Sequence, residues 1–231
     1  MSGTIVVDFS GTLIKPFVVE EANLKRYEIL NIEKPGKEEH KKLHATKKHY
    51  DVIREKISSW GIEDNMEIYY VQNYGDEVKL SGKDLKTIIM TDLFRDCMYR
   101  VANEYGQKIY TEGMIYTLGK IQERGYKIAI VSGIRKDILT GVLAITKCPL
   151  KFDYIYGQDP VLSKDNMQLN EKLSKIGSVK YIIGDKLSDL EPALGLDAKG
   201  IFFKGGHSTG GEEKRADYSI DLSKELMDII N

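Results

Sequence analysis

Cysteine is scarce in this 231-residue chain, neither charge sign dominates, and no long apolar run occurs. The two cysteines, Cys97 and Cys148, cannot build a disulfide framework and lack the spacing of a zinc site, so a reducing, cytoplasmic setting fits best. Lys and Arg number 34 against 35 Asp and Glu, a formal net charge of −1. That balance excludes a general pull toward nucleic acid or an anionic membrane. No segment approaches the roughly 20 apolar residues that span a bilayer. No basic stretch followed by an apolar run opens the chain, so no signal peptide is expected. No G-x-G-x-x-G opens a helix, which argues against a nicotinamide cofactor. Internal repeats and low-complexity segments are also missing. With 42% hydrophobic and 30% charged residues, a folded protein of one large domain or two smaller ones is expected.

Short apolar runs are what the chain does have. TIVV (4–7), KIAIV (127–131), FDYIY (152–156), KYII (180–183) and GIFF (200–203) have the length and composition of buried parallel strands. Helical periodicity separates most of them: Met114, Ile115, Leu118 and Ile121 in 112–124, and similar patterns over 135–146 and 165–176. ADYSIDLSKELMDIIN, at the end, reads as a short strand and a closing helix. The pattern predicts an α/β fold, a Rossmann-like parallel sheet with helices on both faces. Residues 16–106 break the rhythm. They contain an amphipathic stretch over 37–60, a hairpin pattern over 67–80 with a Gly75–Asp76 turn, and a capping-box signal at Ser81 and Asp84 before a long helix that Gly106 would stop. The expected organisation is a core of 1–15 and 107–231 with a mainly helical cap domain, 16–106, inserted in it.

Three of these strands run into polar turn residues: Asp8–Phe9–Ser10–Gly11–Thr12, Ser132–Gly133, and Gly184–Asp185–Lys186–Leu187–Ser188–Asp189. Taken singly, each has a plain explanation. An aspartate after a strand is commonly a turn residue or helix cap, Ser-Gly is an ordinary turn, and GDKLSD can be a capped helix start. Taken together they would meet at one crevice, because an open parallel sheet binds ligands beyond the carboxyl ends of its strands. Carboxylates suit a hard cation, and hydroxyls with exposed N–H groups suit phosphate oxygens.

These motifs resemble those of the haloacid dehalogenase (HAD) superfamily of phosphatases and phosphoryl-transfer enzymes. VVDFSGTLI is similar to the family's first motif, an apolar strand followed by D-x-D-x-T. IAIVSG is similar to the second, a strand ending in Ser or Thr, and IIGDKLSD to the fourth, G-D-x-x-x-D. The third motif, a lysine upstream of the fourth, falls on Lys164; Lys172 and Lys175 fit less well because they lie within the following helix. The resemblance implies a hydrolase in which Asp8 attacks phosphorus and forms an aspartyl-phosphate. It implies Mg²⁺ held by Asp8, the carbonyl of Ser10, Asp185 and Asp189. It gives Ser132 and Gly133 the phosphate oxygens, Lys164 their charge, and Thr12 the bracing of the loop. The implied partner is a small phosphorylated substrate, with neither nucleic acid nor membrane, for a monomer or homodimer.

Ser10 departs from the family pattern. The family's phosphatases usually carry an aspartate two residues after the nucleophile, where it protonates the leaving group and then activates water. A hydroxyl is a poor acid and a poor base near neutral pH, and general acid–base catalysis contributes roughly 10²–10⁴-fold. A soluble phosphatase that is slow, or that prefers good leaving groups such as acyl phosphates, fits best. A phosphonatase-like C–P hydrolase with a Schiff-base lysine among Lys37, Lys41, Lys42, Lys47 and Lys48 is an alternative. A weakly catalytic sensor of phosphorylated metabolites is another. A receiver-type domain fits poorly, because its phosphorylated aspartate lies on a later strand. His40 and His44 have the spacing of paired metal ligands, but without the H-E-x-x-H arrangement a solvated basic face is the better reading. KGGHSTGGEEK (204–214) lacks the G-K-[ST] of a phosphate loop and reads as a flexible connection that can line the crevice.

Overall fold

The computed structural model describes residues 3–30, 82–158, 173, 175–207 and 210–230, with the backbone alone at 27, 30 and 82–90. Six strands form one parallel sheet: β1 (Thr4–Val7), β2 (Lys127–Arg135), β3 (Tyr154–Gln158), β4 (Val179–Gly184), β5 (Lys199–Phe203) and β6 (Tyr218–Ile220). Their spatial order is β3-β2-β1-β4-β5-β6, and every pairing is parallel. All four residues of β1 are buried, as expected for a central strand covered on both faces. Val6 packs in a cluster with Ala129, Ile182, Leu173 and Ile176; its neighbours Ile5 and Val7 are fully buried and, by strand alternation, face the other side.

The strand order decides where a ligand can sit. The chain winds outward from β1 through β2 to β3, then returns to β4 and winds the other way. Right-handed crossovers place the helices of the two windings on opposite faces, and β1 beside β4 is the point where the order reverses. The helices follow the expected periodicity: α3 (Met114–Glu123) buries Met114, Leu118 and Ile121, and α4 (Lys136–Ile145) buries Ile138, Leu139, Val142 and Leu143. Next in the chain, Leu173 and Lys175 are helical, and α5 (Leu187–Leu196) follows β4. A short helix, α6 (Leu226–Ile229), ends the fold behind β6.

Several boundaries differ from the expected ones. β2 does not stop at Val131 but continues through Ser132 and Gly133 to Arg135, after an irregularity in its pairing with β3. Pairing resumes at Arg135 with Gln158, and this is possible because β3 carries glycine at 157: a Cβ there would lie 2.6 Å from the Ile134 carbonyl oxygen. β3 correspondingly starts at Tyr154 rather than Phe152. A helix not expected from the pattern, α1 (Pro16–Leu30), follows the first loop. Its signal is Pro16 at the first helical position, where a missing N–H costs nothing. The long helix α2 (Gly82–Tyr105) is present and ends at Gly106, whose φ of +55° few side chains tolerate. The amphipathic stretch 37–60, the hairpin 67–80 and the Ser81–Asp84 capping box lie outside the described residues or side chains.

The chain divides into two compact units, one of Met1–Glu20 with Met98–Asn231 and one of Glu21–Cys97. Within the first, the outgoing and returning segments are laced by main-chain hydrogen bonds from Lys15 N–H to the Ile109 carbonyl (2.8 Å) and from Thr111 N–H to the Leu13 carbonyl (3.0 Å). The rings of Phe17 and Tyr105 meet edge to face beside them, 5.2 Å between centroids. Within the second unit, Arg26 lies over the Phe94 ring and Arg95 pairs with Asp92 and Asp96.

Candidate active site

Strand register brings the polar residues together. Val7 pairs with Ile130 on one side and Ile183 on the other, so Asp8, Val131 and Gly184 follow at one level, and Phe9, Ser132 and Asp185 at the next. Asp8 N–H extends the ladder by donating to the Ile183 carbonyl at 2.9 Å. The chain then turns back on itself: Leu13 N–H donates to the Asp8 carbonyl, Ile14 N–H to that of Phe9, and Gly11 N–H to that of Ile14. Gly11 has φ +88°, a conformation that glycine adopts without strain. A Cβ at Gly11 would also lie 2.8 Å from Asp185 Cγ, so the first loop and the Asp185 carboxyl meet only because position 11 has no side chain.

Asp189 is placed by a second close approach. It is the third residue of α5, and its Oδ2 accepts a hydrogen bond from Lys186 N–H at 3.1 Å. This is half of a capping box, and a carboxylate in the first helical turn gains about 0.3–1 kcal/mol from the helix dipole. A Cβ at Gly184 would stand 3.2 Å from Asp189 Cγ, so the glycine ending β4 lets the helix start fold against the strand. The helix-cap explanation of GDKLSD is therefore correct, and the same geometry delivers the carboxylate to the crevice. Asp8, Asp185 and Asp189 each offer a carboxylate oxygen within 4.8 Å of the others.

Burial shows that these groups are not ordinary turn residues. Asp185 is 0% and Asp8 8% exposed. Asp185 Oδ2 accepts a short hydrogen bond from His207 N–H, while Oδ1 is buried without a partner among the described residues. An unpartnered buried carboxylate oxygen costs on the order of 1–3 kcal/mol or more, so it calls for a ligand. Three converging carboxylates with one oxygen left over make a donor set that fits a hard, oxygen-seeking divalent cation. Thr12 Oγ1 is also buried with no hydrogen-bond partner among the described residues, so the expected bracing of the loop is not made through its hydroxyl.

Ser132 is 8% exposed and lies inside β2, not beyond its end as the pattern suggested. Its Oγ accepts from Ile134 N–H at 3.3 Å, a local bond that leaves the hydroxyl proton for another acceptor. Gly133 is partly exposed beside it, and the strand closes on Arg135, buried and held to Asp137 by Nε–Oδ1 at 2.9 Å. Ser10 is partly exposed on the first loop. Of the three candidate lysines, Lys175 is exposed, while Lys164 and Lys172 lie outside the described residues, as do His40, His44 and the lysines at 37, 41, 42, 47 and 48. The segment read as a flexible connection contributes to the site: Gly206 and His207 pack on Asp185 and Gly11. The paired glycines at 205 and 206 were the available signal, since close approach of backbone to a carboxyl requires residues without side chains.

A doubly wound parallel sheet with buried carboxylates at its switch point is the arrangement of the α/β class of proteins whose ligands bind at the strand ends. The family model described as haloacid dehalogenase-like hydrolase matches residues 74–202, more than half of the chain, and the chain belongs to that family. The first loop with Asp8 lies outside the matched segment, so its place in the site rests on the structure. No curated protein sequence matches the chain. Among solved structures, the fold is similar to that of a haloacid dehalogenase-like family hydrolase from Streptococcus pneumoniae (14% identity, TM-score 0.61, covering 100% of this chain and 99% of that one). It is also similar to a structure described as a predicted phosphatase from Clostridium acetobutylicum (18%, 0.62, 100% and 98%). A third is a β-phosphoglucomutase from Clostridium difficile (16%, 0.58, 98% and 93%). At these identities the likeness is one of fold. Among the described residues, no helix is long and apolar enough to cross a membrane.

Proposed function

We propose that this hydrolase is a Mg²⁺-dependent phosphatase acting on a small phosphorylated metabolite, with Asp8 as nucleophile. The observation that carries this reading is the convergence of carboxylate oxygens of Asp8, Asp185 and Asp189 within 4.8 Å of one another, beside an Asp185 Oδ1 that has no partner among the described residues. Asp8, Asp185, Asp189 and the Ser10 carbonyl would hold the cation, which when bound offsets the repulsion between the carboxylate and an anionic phosphate. An Asp8 oxygen attacks phosphorus, and the bond to the leaving oxygen breaks with its electron pair leaving on that oxygen. Water then attacks the aspartyl-phosphate and releases phosphate, regenerating Asp8. The Ser132 hydroxyl and Gly133 N–H hold phosphate oxygens, and Lys164 neutralises their charge. The unit Glu21–Cys97 falls largely within the insertion read as a cap and is assigned that role. We assign the protein to a reducing, cytoplasmic compartment, in keeping with a sequence that has only two cysteines, Cys97 and Cys148.

Ser10 sets the substrate preference. It offers no proton at neutral pH, so leaving groups that depart as stable anions are favoured. Phosphate release from acetyl phosphate and from a panel of alkyl phosphates, with Mg²⁺ and after chelation, tests the reading. Release that needs Mg²⁺ and is faster from the acyl phosphate is expected; undiminished release after complete chelation refutes it. Ser10 also favours a second reading, a metabolite-binding protein with weak catalysis. In that case the panel gives saturable binding without turnover.

A further inference from the structure

We propose that the turn Lys204–His207 is a clasp that fixes the Asp185 carboxylate for cation binding, acting through the main-chain N–H of His207. This rests on the reading of Asp185 as a cation ligand.

A buried carboxylate has two oxygens, and a free one samples rotamers that exchange them. Here the exchange is blocked. Oδ2 accepts a charge-assisted hydrogen bond from His207 N–H, and Oδ1 has no partner among the described residues. Glycines close the carboxyl in from two sides. A Cβ at Gly11 would lie 2.8 Å from Asp185 Cγ, and a Cβ at Gly206 would lie 2.5 Å from the Gly11 carbonyl oxygen and collide with Asp185 Cβ and Oδ2. The loops after β1 and β5 therefore meet across the residue that follows β4. The contact needs no side chain from the clasp, because the donor is backbone and its approach depends on Gly206. Groups that orient a metal ligand characteristically change metal affinity about 10–100-fold when altered.

The test measures Mn²⁺ binding to the full-length metal-free protein by the electron paramagnetic resonance signal of free Mn²⁺, with Mg²⁺ as competitor. Wild type is compared with Asp185→Asn, Gly206→Ala, His207→Pro and His207→Ala. His207→Pro deletes the N–H, and Gly206→Ala pushes the turn off the carboxyl. His207→Ala keeps the N–H and removes the imidazole. The clasp predicts at least about tenfold weaker Mn²⁺ binding for His207→Pro and Gly206→Ala and near-wild-type binding for His207→Ala. Thermal unfolding of the metal-free proteins separates this from a general loss of structure, and Gly206→Ala serves if His207→Pro does not fold. If wild type binds Mn²⁺ and Asp185→Asn does not, yet folded Gly206→Ala and His207→Pro bind as wild type, the clasp is refuted and the cation site stands. Weakening in His207→Ala equal to that in His207→Pro also refutes it, since the imidazole would then be responsible. If wild type binds no Mn²⁺, the cation-site reading fails and the clasp falls with it.

Discussion

Two concavities of the same compact unit differ in kind. One, about 640 Å³, runs beside Lys15, Lys108, Tyr110, Tyr116, Lys120 and Leu150; the other, about 20 Å³, touches Asp8 and Asp189 at the strand ends. The large cleft has the size of a ligand site, and one of its lysines, Lys120, is already bonded to Glu123 at 2.7 Å. The small cavity has almost no room, yet two of the three converging carboxylates, Asp8 and Asp189, line it. Volume follows from how loosely surface elements pack. Reactivity goes with polar groups that the fold buries close together, and on that criterion the strand ends, rather than the large cleft, are the proposed site of the chemistry.

The sharpest way to break this comparison is to remove the proposed nucleophile. Asp8→Asn keeps the shape and deletes the attacking oxygen, so phosphate release should fall by about 10³-fold or more while circular dichroism and Tm stay near wild type. A wild-type rate would transfer attention from the strand ends to the large cleft. Ser10→Asp comes next. It should accelerate alkyl phosphate hydrolysis with a ceiling of roughly 10²–10⁴-fold, and acyl phosphate hydrolysis much less, because only the ester needs a proton on its leaving oxygen. The measurement is kcat/KM for both substrates in both proteins. Fast alkyl hydrolysis by wild type, unimproved by the substitution, would show that another group supplies the proton.

Asp217 offers a control far from the chemistry. It accepts hydrogen bonds from Lys199 Nζ (2.8 Å) and Gly200 N–H (2.8 Å), tying the start of β6 to β5. The Lys199 bond foremost, then that of Gly200, hold the Asp217 carboxyl below its ordinary range against the opposing effect of burial. A depressed folded value means that the ionised form stabilises the fold above the unfolded pKa, about 3.9, and that this contribution is lost as pH falls through the folded value. Asp217→Ala should therefore cost about 1 kcal/mol in urea unfolding at pH 7 and less at pH 3, with kcat/KM unchanged. The smallest effect is expected in the large cleft. Tyr116 is 71% exposed, and Tyr116→Ser should change stability by less than about 0.5 kcal/mol and leave kcat/KM within about twofold of wild type. A tenfold loss there would make the cleft part of the substrate path.

Much of the fold was legible because strand and helix periodicity is a local property. Buried runs at 4–7, 127–131, 180–183 and 200–203 became β1, β2, β4 and β5, and the helices over 114–123 and 136–145 lie where their apolar spacing puts them. The boundaries that slipped depend on partners distant in sequence. β2 passes through Ser132–Gly133 because Gly157, on a neighbouring strand, leaves room for the Ile134 carbonyl, and no window around residue 132 contains that information. α1 was missed because the break in strand–helix alternation drew the insertion boundary at residue 16, where the helix begins.

By itself the sequence determined which chemical groups are available and that they stand at strand ends: Asp8 after TIVV, Asp185 and Asp189 after KYIIG, and a serine at position 10 that withholds a proton. These follow from side-chain chemistry and short-range periodicity. Only the tertiary structure decided which of their oxygens are in use. Register set Asp8 level with the end of β4, a helix start took one oxygen of Asp189, and the turn after β5 took one oxygen of Asp185 and left the other without a partner among the described residues. The reason is physical: a buried polar atom is satisfied or orphaned by what packs against it, and here the packing partners stand about 20 to 175 residues away along the chain, at His207 and Gly11 around Asp185 and between β1 and β4.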